Sequence, residues 1–378
     1  MSEPAGKPAP ILFVVHSLGH GGLERQMAAI VRGLDRTRFE PHVACVLEGF
    51  RADEIRASGI PIIRIPIRSF WDPGPFALAA FLGDYVVQHR IQMIHLFDTG
   101  MGAVTALAAK WRARVRLITG QRSFMGHLSR KHRYLLLSAH WLADRVVANC
   151  NATREHLHRT YGYPLRRIEV CYNGIDILRF PSEPRQRIDA LSGARLVIGC
   201  VCVLRPEKNL VQLIEVFARV RSRRSGVKLL LMGSGPEEAR LRAAAAAHGL
   251  GDDCHFLPSA ADVSATMRSI DIFVHPSLTE SMPNAVMEAM ASGCCVLATR
   301  VGGCPELIEH GVHGLLARPG DAEDLERHLE GLIDDEHSRR RMAAAAVSRI
   351  PECFSLDQAL EMMGGIYERT LSLPGRIV

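Results

Sequence analysis

No apolar run in this chain is long enough to cross a bilayer. LVIGCVCVL at residues 196–204, one of the longest, has nine residues, whereas a spanning helix needs about 20. The segment MSEPAGKPAP at residues 1–10 lacks the basic head and apolar core of a secretory signal. We therefore expect a cytoplasmic protein, and we expect any contact with a membrane to be peripheral and on its inner face.

The ten cysteines include no pair with the C-x-x-C spacing that is typical of metal-binding and redox motifs. Most of them lie inside apolar runs, where a free thiol behaves as a small hydrophobic side chain. We expect buried, reduced thiols rather than a metal site or a disulfide framework.

Two phosphate-binding motifs are also missing. The chain has no GxxxxGK[ST] sequence, which excludes a P-loop. Gly19, Gly21 and Gly22 follow an apolar segment, but Glu24 stands where a dinucleotide fingerprint needs a third small residue. Although Glu48 resembles the ribose-binding acid of a dehydrogenase, the missing glycine disfavours that interpretation. Gly21 and Gly22 remain candidates for a close approach of backbone amides to a phosphate at a helix start.

The composition is that of an ordinary globular protein: 47% of the 378 residues are hydrophobic and 23% are charged. This length predicts two or three domains.

Eleven short apolar segments, rich in Val, Ile and Leu, are predicted to be parallel strands: residues 11–15, 42–47, 92–96, 115–119, 145–148, 168–172, 196–204, 228–232, 255–257, 271–274 and 295–299. Segments with helical periodicity alternate with them: residues 23–34, 76–89, 210–221, 236–248 and 283–292.

Strand–helix alternation predicts an α/β protein with parallel sheets. The polar, proline-containing stretch 181–194 separates two such runs, so we predict an amino-terminal Rossmann-like domain at 1–180 and a second one at 195–354. The two doubly wound domains are expected to face each other across a cleft. A final helix within 355–378 is expected to pack on either domain. Ligands of such sheets bind beyond the carboxyl ends of the strands.

Positive charge is concentrated in residues 110–167, where thirteen Lys or Arg residues face only Asp144 and Glu155. Aromatic residues such as Phe124 and Trp141 are interspersed with them. Such a segment is typical of a helix on an anionic membrane surface. It is also typical of a core-facing helix with a solvated basic side, and both interpretations stay open. No nucleic-acid-binding motif accompanies the charge, so we expect no nucleic-acid partner.

The second half carries the stronger motifs. LRPEKN at residues 204–209 follows an apolar strand and leaves Arg205 and Lys208 at its carboxyl end, where a cation can neutralise a diphosphate. HPSLTESMPNAVMEAMASG at residues 275–293 contains Glu280 and Glu288. Because proline suits a first helical turn, we predict a helix from Pro283.

In that segment, Glu280 lies in the loop and Glu288 inside the helix. Carboxylates accept hydrogen bonds from sugar hydroxyls, and free amides at a helix start bind anions. These amides belong to Ser281, Met282 and Asn284. For Glu280 alone, the simpler explanation is an acid that offsets the helix dipole.

The order and spacing of several motifs resemble the retaining glycosyltransferases of family 4, which have the GT-B fold. The resemblance covers nearly the whole chain. It consists of GGLE at 21–24, YNGID at 172–176, LRPEKN at 204–209, MGSGPE at 232–237, Glu280 with Glu288, and VGGCPELI at 301–308.

The resemblance implies a nucleotide-sugar donor, retention at the anomeric carbon, and no cofactor or obligatory metal. By position, Lys208 would hold the donor diphosphate, Glu288 the ribose and Glu280 the sugar hydroxyls. The segment Ser281, Met282, Pro283 and Asn284 would lie beside the sugar and phosphate. Gly21 and Gly22 would approach the diphosphate from the amino-terminal half.

This chain departs from the family pattern at several positions. The usual arginine five residues before Lys208 is Val203, and Arg205 is the candidate to replace it as a catalytic residue. The usual glycine after Glu280 is Ser281. On the acceptor side, His95 matches, whereas the histidine two residues later is Phe97. The family's next histidine is replaced within TGQR at 119–122, which makes Arg122 the acceptor-side candidate.

The sequence therefore predicts a retaining hexosyltransferase that acts on a lipid-linked or polysaccharide acceptor. The segment 110–167 would contact the membrane. Two alternatives are a nucleotide-sugar epimerase of the same fold and a non-catalytic binder of acidic lipid or nucleic acid.

Overall fold

The computed structural model describes residues 7–19, 21–67, 74–98, 101–124, 129–180, 187–260 and 262–374. The chain divides into two compact units. One contains residues up to Gly174 together with the segment from Leu356 onward, and the other is Ile175–Ser355.

The first unit is built on a seven-stranded sheet with the order β3-β2-β1-β4-β5-β6-β7, in which every neighbouring pair is parallel. Its strands are β1 (Ala9–Ser17), β2 (Phe39–Leu47), β3 (Ile62–Arg64), β4 (Met93–Leu96), β5 (Arg116–Gln121), β6 (Arg145–Ala148) and β7 (Ile168–Val170). Its helices are α1 (Gly22–Gly33), α2 (Phe50–Ala57), α3 (Pro75–Gln88), α4 (Gly102–Leu107), α5 (Arg130–Leu142) and α6 (Asn151–Tyr161). The central strand β1 is buried on both faces because separate apolar clusters cover them.

The second unit has a six-stranded parallel sheet with the order β10-β9-β8-β11-β12-β13. Its strands are β8 (Leu196–Val201), β9 (Val227–Met232), β10 (Cys254–Leu257), β11 (Ile272–His275), β12 (Cys295–Thr299) and β13 (Leu315–Ala317). Its helices are α7 (Leu210–Arg223), α8 (Glu238–Ala247), α9 (Ser264–Arg268), α10 (Asn284–Ala291), α11 (Cys304–Leu307), α12 (Ala322–Asp334) and α13 (Glu336–Cys353). The predicted α/β class with two Rossmann-like parallel sheets is confirmed.

The last helix, α14 (Leu356–Leu371), belongs to the first unit. Met363, Ile366 and Tyr367 are buried in the core of that unit, and the Tyr367 ring meets Phe39 edge-on at 5.7 Å between centroids. Apolar burial on one face of α14 therefore attaches the end of the chain to the amino-terminal sheet.

The boundary between the units differs from the predicted linker 181–194. It falls after Gly174, because Ile175 donates its backbone N–H to Phe354 O and bridges to Ser355, which are residues of the second unit. Residues 181–186 of the predicted linker lie outside the described residues.

Two strands were not predicted from the sequence, β3 and β13. Each has three residues and lies at the edge of its sheet. A segment this short has no periodicity to distinguish it from a loop.

The MGSGPE loop after β9 depends on two glycines. A Cβ atom on Gly233, whose φ is +155°, would lie 1.8 Å from Cys202 O, and one on Gly235 would lie 2.4 Å from Leu204 O. Because both obstacles are backbone atoms, no side-chain movement relieves them. These two glycines allow the loop to lie directly against the segment that leads from β8 to Lys208.

We expect Gly233→Ala to lower the free energy of unfolding by about 3 kcal/mol, since it combines a forbidden contact with a backbone conformation that only glycine adopts readily. Gly331→Ala is the matched control in the same unit, because a Cβ atom added at this position of α12 would have no other atom within 4 Å. That change should be neutral or stabilise by up to about 1 kcal/mol. Urea denaturation measures both, and equal stability of the two variants would contradict the packing described.

Candidate functional site

The strand order of the second sheet reverses between β8 and β11. In open α/β sheets, the crevice at such a point, outside the carboxyl ends of the strands, is where ligands bind. Lys208 follows β8 and Glu280 follows β11. The topology thus brings two residues that are 72 positions apart in the chain to one edge of the sheet.

The loop after β8 presents Lys208 through a tight turn. Pro206–Lys208 forms one 3₁₀ turn, and Asn209 then adopts a left-handed conformation with φ 55° before α7 begins. Asparagine tolerates that conformation better than most residues, which explains the KN pair in the motif. The turn is attached to the neighbouring loop because Leu278 donates its backbone N–H to Glu207 O at 2.8 Å.

The Lys208 ammonium forms a short ion pair with Oε1 of Glu280. Both side chains are largely buried, with 17% and 15% of their surfaces exposed. His275 Nε2 lies 3.2 Å from the same carboxylate oxygen, and Ser277 Oγ lies 3.1 Å from His275 Nε2. Since an ionised carboxylate only accepts hydrogen bonds, Nε2 carries the proton and donates it toward Glu280.

The electrostatics of this group favour the ionised pair. Burial acts to raise the pKa of the Glu280 carboxyl, but the hydrogen bond from His275 and the charge of Lys208 outweigh it and lower the pKa to about 2. Burial acts to lower the pKa of Lys208, yet Glu280 raises it above its usual value. The pKa of His275 is lowered, chiefly by burial, which leaves the imidazole neutral near pH 7.

The segment between the two glutamates differs slightly from the prediction. Pro283 is the N-cap of α10, and the helix begins at Asn284. The reason is its backbone conformation, with ψ at 110°, which is extended rather than helical. Ser281 and Met282 are buried in the preceding loop, and Glu288 is buried inside α10.

Ser281 also links the loop to another motif. Its carbonyl oxygen accepts a hydrogen bond from Gly303 N at 2.6 Å, which attaches the VGGCPELI segment to the Glu280 loop.

Arg205 does not join the Lys208–Glu280 pair. Its side chain is 58% exposed, and its ion-pair partner is Glu207 at 3.9 Å. Arg205 is the N-cap of the 3₁₀ turn and has an extended backbone. Val203, where the family has arginine, is likewise exposed.

The remaining predicted residues lie in the first unit. Gly21 is the N-cap of α1, and Gly22 is the first residue of that helix, just after the central strand β1. His95 lies on β4, next to β1 at the point where the order of this sheet reverses. Its Nδ1 is 2.8 Å from the Tyr367 hydroxyl, and burial lowers its pKa well below the usual value.

Arg122 follows β5 directly. Thr119 and Gln121 contact His140 in α5 at 2.8 and 3.0 Å, so alternation along the strand directs Arg122 to the opposite face. There its guanidinium carbon lies 4.9 Å from the Phe97 ring centroid, and Nη1 donates to Asn173 Oδ1 at 2.7 Å.

Ion pairs neutralise part of the basic segment 110–167. Five of its cations form ion pairs with Asp or Glu side chains: Lys110, Arg112, Arg116, Arg145 and Arg159. Two of those partners, Asp84 and Glu169, lie outside the segment. Residues 125–128 and the side chains of Arg130 and Lys131 lie outside the described part of the chain.

The sequence motifs predict no functional role for His275 or Tyr367. His275 had a recognisable signal, since it is the polar last residue of an otherwise apolar strand, five residues before Glu280. Tyr367 had none, because its contact with His95 spans 272 positions.

Within the described ranges, no group of three or more His, Cys, Asp or Glu residues has the arrangement of a metal site. No described helix has the length and apolarity that a membrane span requires. The described residues include all ten cysteines, and none of these forms a disulfide; seven are buried, and Cys353 is exposed.

We expect the Glu280 carboxylate to stabilise the fold in a pH-dependent way. Its pKa in the folded protein is about 2, against an ordinary value of 4.5, so the stabilisation is complete above about pH 5 and is lost as the pH falls toward 2. Glu280→Gln leaves Lys208 without its counter-charge and should cost about 3 kcal/mol at pH 7. The difference from the wild type should shrink below pH 4.5.

Urea denaturation between pH 3 and pH 7 measures this difference. Glu309→Gln, at an exposed position of the same unit, serves as control and should show little change. A Glu280→Gln deficit that stays constant down to pH 3 would contradict the ion pair.

Comparison with known proteins matches both halves of the chain. Residues 183–349 match the family described as Glycosyl transferases group 1, and residues 20–179 match the one described as Glycosyltransferase Family 4.

The D-inositol 3-phosphate glycosyltransferase of Pseudarthrobacter chlorophenolicus is 32% identical over 219 residues, which are 55% of this chain and 51% of that protein. The chain thus matches about half the length of this relative. The GDP-mannose-dependent alpha-mannosyltransferase of Corynebacterium glutamicum is 29% identical over 308 residues, covering 76% of this chain and 69% of that protein.

Among solved structures, HepE from Anabaena in complex with UDP-glucose is 24% identical, with a TM-score of 0.84 over 95% of this chain and 99% of HepE. This similarity is one of fold. Together with the two parallel sheets and the matches to both halves, it shows that the chain belongs to glycosyltransferase family 4 and has the GT-B fold.

Proposed function

We propose that this chain is a retaining hexosyltransferase, which transfers a sugar from a nucleotide-sugar donor to a lipid-linked or polysaccharide acceptor. The observation that carries the proposal is the buried group of Lys208, Glu280 and His275 at the carboxyl edge of the second sheet. A cation and an acid at such an edge are suited to a ligand with both a diphosphate and hydroxyl groups.

In the proposed mechanism, Lys208 exchanges Glu280 for the donor diphosphate. The ammonium then stabilises the charge that grows on the leaving nucleoside diphosphate. Glu280 keeps its hydrogen bond from His275, so its carboxylate stays ionised and oriented while it accepts hydrogen bonds from the sugar hydroxyls. Glu288 is assigned to the ribose, and the segment from Ser281 to Asn284 to the sugar and phosphate.

Retention is proposed from the family resemblance. A phosphate oxygen of the leaving group takes the proton of the acceptor hydroxyl, which attacks the anomeric carbon from the same face. The proposal assigns neutralisation of the diphosphate to Lys208 and requires no metal; unchanged activity in EDTA tests that part.

The names of the relatives support a nucleotide-sugar donor, but they do not indicate one class of acceptor. HepE has been crystallised with UDP-glucose, so UDP-sugars are the first donors to test. The D-inositol 3-phosphate glycosyltransferase is named for a small acceptor. For this chain we propose a larger acceptor, located at the inner face of a membrane.

We expect Lys208→Met to lower kcat by ~10²–10³, because it removes one charge from the stabilisation of the leaving group. The measurement is sugar transfer from a panel of UDP-, GDP- and ADP-sugars, with the products analysed by NMR. Lys228→Met is the control: Lys228 lies on β9 in the same unit, near the opposite end of the strand, and its ammonium contacts Ala190 O.

Full activity of both Lys208→Met and Glu280→Ala would refute the site. Conversion of the donor sugar without any acceptor would identify the epimerase instead. Inversion at the anomeric carbon would refute retention alone.

A membrane contact is supported by exposed aromatic residues in the first unit. Phe76 and Trp111 are 66% and 61% exposed, and their rings meet edge-on at 6.2 Å between centroids. Trp111 lies in the π-helical turn Ala108–Arg112 and is close in sequence to the exposed Arg114. Aromatic rings beside basic residues are typical of surfaces that bind anionic bilayers.

We expect the full chain to cosediment with vesicles containing phosphatidylglycerol and less with phosphatidylcholine alone. Replacing Phe76 and Trp111 together by serine should weaken this binding at least about tenfold, since it removes the apolar area that enters the interface. Val87→Ser, at another exposed position on α3, is the control. Unchanged binding of the double variant would place the membrane contact elsewhere or exclude it.

A further inference from the structure

Arg122 is a partly buried cation, and its contacts with the described residues of the first unit are with neutral groups. Nη1 donates to the Asn173 amide oxygen at 2.7 Å, and the guanidinium lies over the Phe97 ring. Its Nε atom is buried and has no hydrogen-bond partner among the described residues. At least one N–H donor of the Arg122 guanidinium, that of Nε, therefore has no hydrogen-bond acceptor among the described residues.

No carboxylate within the described ranges forms an ion pair with Arg122. The titratable groups around it are His95, Cys171 and Tyr367. Burial lowers the pKa of His95 and raises the pKa of Cys171 to about 11 and that of Tyr367 well above its usual value, so all three are uncharged near pH 7. The guanidinium itself stays protonated, as arginine does in proteins.

A charge that is partly withdrawn from water and has no counter-charge destabilises the folded protein. Proteins usually pair charges that are withdrawn from water, or they hydrogen-bond them fully. A neutral side chain would serve the contacts with Phe97 and Asn173 without this cost. The environment of Arg122 therefore lacks an anion.

The position of Arg122 is that of a ligand-binding residue. It follows β5, which pairs with β4, and β4 lies at the point where the strand order of the first sheet reverses. Ligands bind outside the carboxyl ends of strands at such a point. The planar guanidinium fork matches the oxygens of phosphate and carboxylate groups.

We propose that Arg122 anchors an anion subsite of the first unit, which binds a phosphate or carboxylate group carried by the sugar acceptor. This inference rests on the proposed function only for the identity of the ligand as acceptor. Asn173 and Phe97 orient the guanidinium, and neither neutralises it. The lipid-linked or polysaccharide acceptor is accordingly an anionic one, which carries a phosphate or a carboxylate group.

The first test measures anion binding without sugar transfer. Inorganic phosphate is titrated into the full chain in the Lys208→Met background, which removes the cation assigned to the donor diphosphate, and heat is recorded at constant ionic strength. Adding Arg122→Met should weaken phosphate binding at least about tenfold. Adding Arg122→Lys should weaken it less, because the point charge remains while the fork is lost.

Arg166→Met is the matched control, since Arg166 is an exposed arginine of the same unit. Phosphate affinity that is the same with and without Arg122 would overturn the subsite. In phosphate-free buffer, Arg122→Met should unfold at the same or a higher temperature than its parent. A lower unfolding temperature combined with unchanged phosphate affinity would show a purely structural role. If Arg122→Met does not fold, the phosphate affinity of Arg122→Lys alone tests the subsite. An affinity of Arg122→Lys for phosphate equal to that of its parent then overturns the proposal.

A second titration identifies the source of the anion. Glucose 6-phosphate, gluconate and glucose present a phosphate, a carboxylate and no charge on similar carbon skeletons. We expect Arg122-dependent binding of at least one of the two anions and none for glucose. Binding of inorganic phosphate alone would refute the acceptor assignment.

The outcome is separable from that of the proposed function. Nucleotide-sugar binding by Arg122→Met should equal that of the wild type, while transfer to anionic acceptors falls at least about tenfold. If the wild type transfers no sugar from any donor, the hexosyltransferase proposal fails, and the phosphate titration still decides whether Arg122 binds an anion.

Discussion

The candidate site of the second unit depends on one largely buried ion pair, that between Lys208 and Glu280. Two opposite charges removed from water stabilise each other only at close range, so the loops after β8 and β11 are held together at the edge of the sheet. The backbone hydrogen bond from Leu278 to Glu207 fixes the same two loops independently of charge. An incoming ligand that separates the pair must itself bring negative charge to Lys208, and a diphosphate does so.

His275 makes that exchange chemically reasonable. If Lys208 were the sole partner of Glu280, its departure would leave a buried carboxylate without a hydrogen bond and raise its pKa. With Nε2 donating to Glu280, the carboxylate keeps a partner in both states. A neutral imidazole is suited to this role, because it adds no positive charge that would compete for the diphosphate.

Lys208 and Arg122 differ in how their positive charge is balanced within their own units. Lys208 has an internal carboxylate, whereas Arg122 contacts an amide and an aromatic ring. The charge of Lys208 is thus balanced within the protein, whereas the ligand that we propose would supply the anion for Arg122. Functional sites commonly retain such destabilising groups because activity needs them.

The sequence by itself determined the alternation of strands and helices, the two-domain α/β class, and the residues at the carboxyl ends of β8 and β11. These features depend on local patterns, namely apolar runs of strand length and the residues that end them. Local patterns did not predict β3 and β13, and they placed the start of α10 one residue early.

Only the tertiary structure decided that α14 belongs to the first sheet, that Tyr367 reaches His95, and that Arg205 lies apart from the Lys208–Glu280 pair. It also decided which cations of segment 110–167 are neutralised, since Asp84 and Glu169 approach them from outside that segment. The physical reason is the same throughout: such contacts join residues far apart in sequence, and folding of the whole chain sets their distances.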